Sequence, residues 1–196
     1  MEFRFTGDLH DEIGSDLGGI ILLSELAQQA PALLADARAS LQEINATAQH
    51  TAGAMRDIGW FLNPEYDTLA DMVGRMREFA TTFLSGVECE FVAPPLPSAP
   101  GLPLEFRRNV VFAFKEILHN IVKHAGATRV SIQLEPAGRQ FTLRVRDNGC
   151  GFDPSAASAG HGLRSLRQRA ADLRGQLAVE SEPGKGTTVV LTALLP

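Results

Sequence analysis

Cysteine is nearly absent from this 196-residue chain: Cys89 and Cys150 are the only two. They stand far apart and match no metal-ligand spacing, so no zinc-type site follows from them. They read as reduced thiols, although spacing alone leaves a disulfide open. A basic excess is missing as well, because 18 Lys and Arg against 23 Asp and Glu leave a net charge of −5. That balance argues against nucleic acid as the main partner, since a DNA-binding surface needs a cationic face. The apolar runs are short, Ile20 to Leu23 among them, and none approaches the length needed to cross a bilayer. Met1 to Gly7 carries one arginine with no apolar run behind it, which does not fit a secretory signal. The expectation is a soluble, cytoplasmic chain with no membrane contact in this stretch. What is present is 44% hydrophobic residues, enough for one good core plus a smaller helical module.

Residues 8–85 read as helical. Leu9, Ile13, Leu17, Ile20 and Leu23 recur at threes and fours and form one apolar stripe. Pro31 ends the first helix near Gln29. A second helix is expected from about Ala32 to Leu62, where Asn63-Pro64 breaks it, and a third from about Thr68 to Leu84. Two long helices with one greasy stripe each pair most naturally with a copy of themselves, as a four-helix bundle. After Ser85-Gly86 the period changes. Val87 to Val92, Arg129 to Leu134 and Gln140 to Arg146 alternate as strands do, with Pro136-Ala137-Gly138 as the turn between the last two. Leu104 to His124 is helical. Residues 148–161, rich in Gly, Ser, Ala and Pro, suit a mobile lid. Gly162 to Leu173 is a further helix stopped by Gly175, and Gln176 to Ser181 and Thr187 to Leu194 close the sheet.

Glu116, Asn120 and Lys123 are spaced by four and three, so on a helix they fall within about 60° of one another. Burying a carboxylate, a carboxamide and an amine unpaired is expensive. Around a hydrated divalent ion and a phosphate chain the same three groups make sense. Asp147-Asn148-Gly149-Cys150-Gly151 then offers an acid and two glycines where the chain must turn tightly against a ligand. Together these point to a nucleotide site. A second constellation is His10-Asp11 beside the N-terminal apolar stripe. A neutral imidazole has one lone-pair nitrogen for attack on phosphorus, and an adjacent carboxylate can hold the proton on the other. Gly14 and Gly18, one and two turns on, leave the histidine's ridge bare for a bulky partner.

The segment from Lys115 to Ala125 followed by Asp147 to Phe152 resembles the N box and first G box of the ATP-binding fold of sensor histidine kinases, Hsp90-type chaperones and MutL-type ATPases. Gly160-His161-Gly162-Leu163 resembles the second glycine box, and Gly184-Lys185-Gly186-Thr187-Thr188 the glycine-threonine element before the last strand. Asp8-Leu9-His10-Asp11, Gly14 and the segment Trp60 to Leu69 resemble the phosphoacceptor domain of the sensor histidine kinases that partner NarL-type response regulators. The resemblance covers residues 8–195, in the family's order.

It implies an α+β chain: an N-terminal helical hairpin forming a dimeric four-helix bundle over residues 1–66, then an α/β sandwich of the GHKL ATPase type over 67–196. It further implies a two-component kinase core that autophosphorylates His10 from ATP and passes the phosphoryl group to a response-regulator aspartate. By the same resemblance His10 is the phosphoacceptor and Asp11 its acid-base partner. Asn120, with Glu116, holds Mg²⁺. Lys123 and His124 lie near the phosphates, and Asp147 accepts the adenine amino group. Gly149, Gly151, Gly160 and Gly162 flank the lid, and Thr187 lies near the adenine. The implied partners are a second copy of the chain and a NarL-type regulator, and the chain would be cytoplasmic or the cytoplasmic part of a longer membrane receptor. Two rival readings are a GHKL-fold serine kinase of the anti-sigma kind and a non-catalytic docking scaffold. The His-Asp helix pair disfavours the first, and the complete set of nucleotide-site residues disfavours the second.

One position departs from the family pattern. Many members place glutamine five residues after the histidine to orient the water that dephosphorylates the partner regulator, and here that position is Ser15. A hydroxyl holds a water but reaches less far. Dephosphorylation of a phosphorylated cognate regulator by this chain is therefore expected to be slow, and rapid kinase-dependent clearance of the phosphoregulator would contradict the reading.

Overall fold

The computed structural model describes residues 17–25, 27, 35–96, 101–154 and 161–196. The chain divides into two compact units, one ending at Glu65 and one running from Tyr66 to Pro196. The sequence-based boundary stands one residue further on. In the first unit, residues 17–25 are helical and α1 spans Ala35–Leu62. The two helical stretches are joined by a polar clasp. Asn45 Nδ2 donates to Ser24 Oγ at 2.9 Å and to the Ile21 carbonyl at 3.3 Å, and Ser24 Oγ donates to the same carbonyl at 2.9 Å. Ser24 is buried there, while Ile20, Leu22, Leu23 and Ile44 are exposed. α1 stops where the sequence predicts, because the residue before a proline is pushed out of helical geometry. Asn63 Oδ1 then accepts the Glu65 amide at 2.9 Å, and Pro64–Tyr66 forms a single 3₁₀ turn.

The second unit is a sheet covered by helices on one face. α2 (Leu69–Phe83) begins with a reciprocal cap, Thr68 and Asp71 each bonding the other's backbone amide, which satisfies two otherwise orphaned donors. β1 (Glu88–Val92), α3 (Leu104–Asn120), β2 (Arg129–Ala137), β3 (Gln140–Asp147), α4 (His161–Asp172), β4 (Leu177–Ser181) and β5 (Thr187–Leu194) follow. The sheet order is β1-β2-β3-β5-β4. β1 and β2 are parallel and the other pairs antiparallel, so α3 serves as the crossover a parallel pair requires. Strand alternation places Val130, Ile132 and Leu134 of β2, Phe141, Leu143 and Val145 of β3, and Val189, Leu191 and Ala193 of β5 on the buried side. Met72, Met76, Val110, Phe114, Ile117, Leu118 and Leu166 complete the core from the helices.

Three local features differ from the sequence reading. β2 runs through Pro136, and the turn lies at Gly138-Arg139. Proline is tolerated because β1 reaches only Gln133 on that side, so the missing N–H deprives no neighbour. α3 does not continue as α-helix to His124. It ends at Asn120, and Ile121–Ala125 forms one π turn closed by left-handed Gly126. Finally, α4 is stopped by Arg174, whose φ is +52°, and not by Gly175. The Gly175 amide bonds the Ala170 carbonyl at 2.9 Å, and a side chain there would run into the Thr192 backbone of β5.

Candidate nucleotide site

Asp147 is the last residue of β3 and continues its buried register after Phe141, Leu143 and Val145. A carboxylate therefore stands where the strand's period calls for an apolar side chain, 4% exposed. Among the described residues its side chain accepts one hydrogen bond, at Oδ1 from the Gly149 amide, 2.8 Å away. Burying a charge with so little compensation is costly, and among the described residues the second oxygen accepts no hydrogen bond. Asp147 borders a cavity of about 490 Å³, within the range of small-molecule sites. Thr187 lies directly across the β3–β5 pair from Asp147 and borders the same cavity. Ile121, Val145, Leu166 and Val189 supply its apolar wall, suited to a flat heterocycle.

The α3 residues arrive as the spacing requires. Glu116 and Asn120 both border the cavity, half-buried, and Gly162 of α4 sits against them. A side chain at position 162 would meet the Glu116 carboxylate first and the Asn120 amide next. Lys123 and His124 border the cavity from the exposed π turn, a wider helical geometry that recurs at functional sites. Gly151 borders it too, while Gly149 packs against Ala125 behind it. Lys115 turns the other way, its ammonium 4.5 Å from the centre of the Phe79 ring on α2. Of the arginines in and after α4, Arg169 contacts α3, bonding Asn109 Oδ1 at 3.1 Å and lying over the Phe112 ring. Burial holds its guanidinium below the ordinary arginine range; Arg108 acts in the same direction, and Asp172 and Glu116 oppose it. His10, Asp11, Ser15 and Gly160 lie outside the described residues.

Sequence reasoning missed several residues. His119, given no role, also borders the cavity. Asn148 ties the loop after β3 to the start of β2. Its Oδ1 accepts the Thr128 and Arg129 amides at 2.9 and 2.8 Å, and its Nδ2 donates to Thr128 Oγ1 at 2.9 Å. Asparagine between an acid and a glycine is a turn-forming signal that could have exposed this role. Ser181, which bonds both flanks of the site, carried no such signal. For a divalent ion, no cluster of three or more His, Cys, Asp or Glu exists among the described residues. The oxygens of Asn120 and Glu116 fit the alternative in which Mg²⁺ takes one or two protein ligands and completes its shell with phosphates and water.

The family model "Histidine kinase-, DNA gyrase B-, and HSP90-like ATPase" matches residues 107–196, and the model "Histidine kinase" matches residues 4–67. The chain belongs to the histidine kinase family. It is 23% identical over 194 residues to the signal transduction histidine-protein kinase/phosphatase DegS of Brevibacillus brevis, spanning 96% of this chain and 50% of that protein. It is 28% identical over 201 residues to the nitrate/nitrite sensor protein NarX of Escherichia coli, spanning 98% of this chain and 33% of NarX. The chain thus covers between a third and a half of these relatives. Its fold is that of the histidine kinase domain of a blue-light activated histidine kinase from Erythrobacter litoralis (TM-score 0.56, 16% identity, 96% of this chain and 94% of that one). The ATP binding domain of PrrB from Mycobacterium tuberculosis matches at TM-score 0.52 and 24% identity, over 64% of this chain and 93% of that domain. The α/β sandwich is accordingly of the GHKL type, and residues 107–196 are an ATPase-type nucleotide-binding domain of a histidine kinase.

The Gly184–Gly186 turn braces the site from behind. Gly186 has φ +80°, and a side chain there would collide with the Asp147 carbonyl. Gly186→Ala should cost about 1–3 kcal/mol of backbone strain and lower the melting temperature by roughly 3–10 °C. Gly184→Ala, with φ +82° but no atom within 4 Å, should cost less. Equal losses measured by thermal unfolding would show that the packing against Asp147 is unimportant.

Proposed function

We propose that this chain is the catalytic core of a two-component sensor histidine kinase, in which the 67–196 region binds ATP and the γ-phosphoryl group is delivered to His10. The buried carboxylate of Asp147, on the border of a partly apolar cavity that Glu116, Asn120, Lys123 and His124 also line, carries the reading. Asp147 receives the adenine amino group, and Thr187 lies beside the base. Lys123 and His124 neutralise phosphate charge. Asn120 and Glu116 hold Mg²⁺, which when bound would supply further charge neutralisation on the phosphates. Gly149, Gly151, Gly160 and Gly162 flank the lid and let backbone approach the nucleotide. In such a reaction the protein's contribution is mainly positioning and charge stabilisation, which is what these residue types provide. Asp11 holds the proton on the His10 imidazole nitrogen that does not attack.

Residues 1–66 then act as the dimerisation and phosphoacceptor domain. The exposed Ile20, Leu22, Leu23 and Ile44, with Leu23 68% exposed, support pairing with a second copy as a four-helix bundle. A NarL-type response regulator is the acceptor of the phosphoryl group, a reading supported by the similarity to NarX over 98% of the chain. No helix among the described residues is long and apolar enough to cross a membrane, in keeping with a cytoplasmic portion of a longer receptor or a soluble kinase. The serine-kinase rival is disfavoured because the "Histidine kinase" model covers residues 4–67, including His10.

Incubation with γ-labelled ATP and Mg²⁺ should label the wild-type chain with an alkali-stable, acid-labile phosphoryl group. His10→Gln should reduce the label to background while leaving ATP affinity within about twofold, a difference of under 0.5 kcal/mol. Persistent label in His10→Gln would overturn the acceptor assignment, and acid-stable label would favour the serine-kinase reading.

A further inference from the structure

Ser181 ends β4, outside the wall of the cavity, yet its hydroxyl joins three elements of the site. It accepts the Phe152 amide at 2.9 Å, donates to the Gly186 carbonyl at 3.1 Å, and lies 2.9 Å from Thr187 Oγ1. A serine hydroxyl has a single hydrogen. Gly186 is buried and its carbonyl has no other hydrogen-bond donor among the described residues, so the serine hydrogen is assigned to it. The hydrogen in the Ser181–Thr187 bond must therefore be the threonine's. With its own hydrogen committed to Ser181, Thr187 has only lone pairs left to offer the cavity. Across the strand pair stands Asp147, a carboxylate and likewise an acceptor.

We propose that Ser181 is a positioning residue that fixes the Thr187 hydroxyl as an acceptor, so that the site pairs two acceptors and selects a 6-amino purine over a 6-oxo purine. The proposal rests on the nucleotide-site reading above and adds to it the group that sets the polarity of one wall. A 6-amino group carries two hydrogens and satisfies both acceptors. A 6-oxo group brings lone pairs to both and leaves three acceptors desolvated without a donor, the situation that makes polar sites discriminate strongly. Without the serine hydroxyl, Thr187 regains a free hydrogen that it can turn toward a 6-oxo oxygen. The bond from the Phe152 amide to Ser181 also fixes the chain just after Gly151, so one hydroxyl sets both the lid's root and the base-facing wall.

Titration of ATP and GTP into the full chain, its Ser181→Ala and Ser181→Thr variants, and Thr187→Val reads this directly. The wild type should prefer ATP. Ser181→Ala should narrow the ATP-to-GTP affinity ratio by about tenfold, the value of one well-formed hydrogen bond, chiefly by improving GTP. Ser181→Thr should keep the ratio within about threefold, and Thr187→Val should narrow it without further change on adding Ser181→Ala. A wild type that binds both nucleotides equally, or an unchanged ratio in Ser181→Ala even with uniformly weaker binding, would overturn the role of Ser181. A wild type that binds neither nucleotide would overturn the underlying nucleotide-site reading. Should Ser181→Ala fail to fold, Ser181→Cys, which keeps the size with a weaker donor, is judged by the same ratio.

Discussion

The carboxylate of Asp147 on the helix-facing side of β3 is the constraint around which the second unit is arranged. Strand periodicity puts it in line with Phe141, Leu143 and Val145, and nothing in the core itself rewards a charge there. Its surroundings are instead shaped to hold it open. The Gly149 amide satisfies one oxygen, Gly186 brings the β4–β5 turn against its backbone, and the register of β3 with β5 places Thr187 opposite. An unpaired buried acceptor destabilises a fold unless a ligand completes it, which is the physical ground for the proposal that Asp147 belongs to a binding site.

The other side of that site depends on α3 changing geometry. Its α-helical part buries Val110, Phe114, Ile117 and Leu118 against the sheet, leaving Glu116 and Asn120 at the margin of the core. The π turn at Ile121–Ala125 then widens the helix and carries Lys123 and His124 to the rim. The same turn offers the Ala125 carbonyl to the Cys150 amide at 2.8 Å. The end of α3 and the loop after β3 are thus hydrogen-bonded to each other beside the cavity.

Much of this was legible in the residues. Period-two alternation found β1, β2 and β3, and Asn63-Pro64 placed the end of α1. Glu116 and Asn120 were singled out because polar groups on one helix stripe had no use in packing, and Asp147 because an acid stood beside two glycines in a tight turn. The misreadings share a cause. Proline at 136 and glycine at 175 were read as local punctuation, whereas the sheet's uneven edge tolerates Pro136 and the backbone of β5 excludes a side chain at position 175. Left-handed geometry at Arg174 is imposed by the turn that docks α4 on β5, where the Leu194 amide bonds the Leu173 carbonyl at 3.1 Å. Asn148 and Ser181 act through partners 20 and about 30 residues away, a dependence that no local pattern encodes.

Calorimetric titration of ATP into the full chain and into Asp147→Asn tests the role of the buried carboxylate most directly. An asparagine keeps the volume but can turn an N–H₂ toward the cavity, donor against donor. ATP should bind the wild type and bind Asp147→Asn about 10- to 100-fold more weakly, the worth of a hydrogen bond to a charged acceptor, with both chains folded by circular dichroism. Equal affinities in the two folded chains would contradict the assignment of Asp147 as the residue that receives the base.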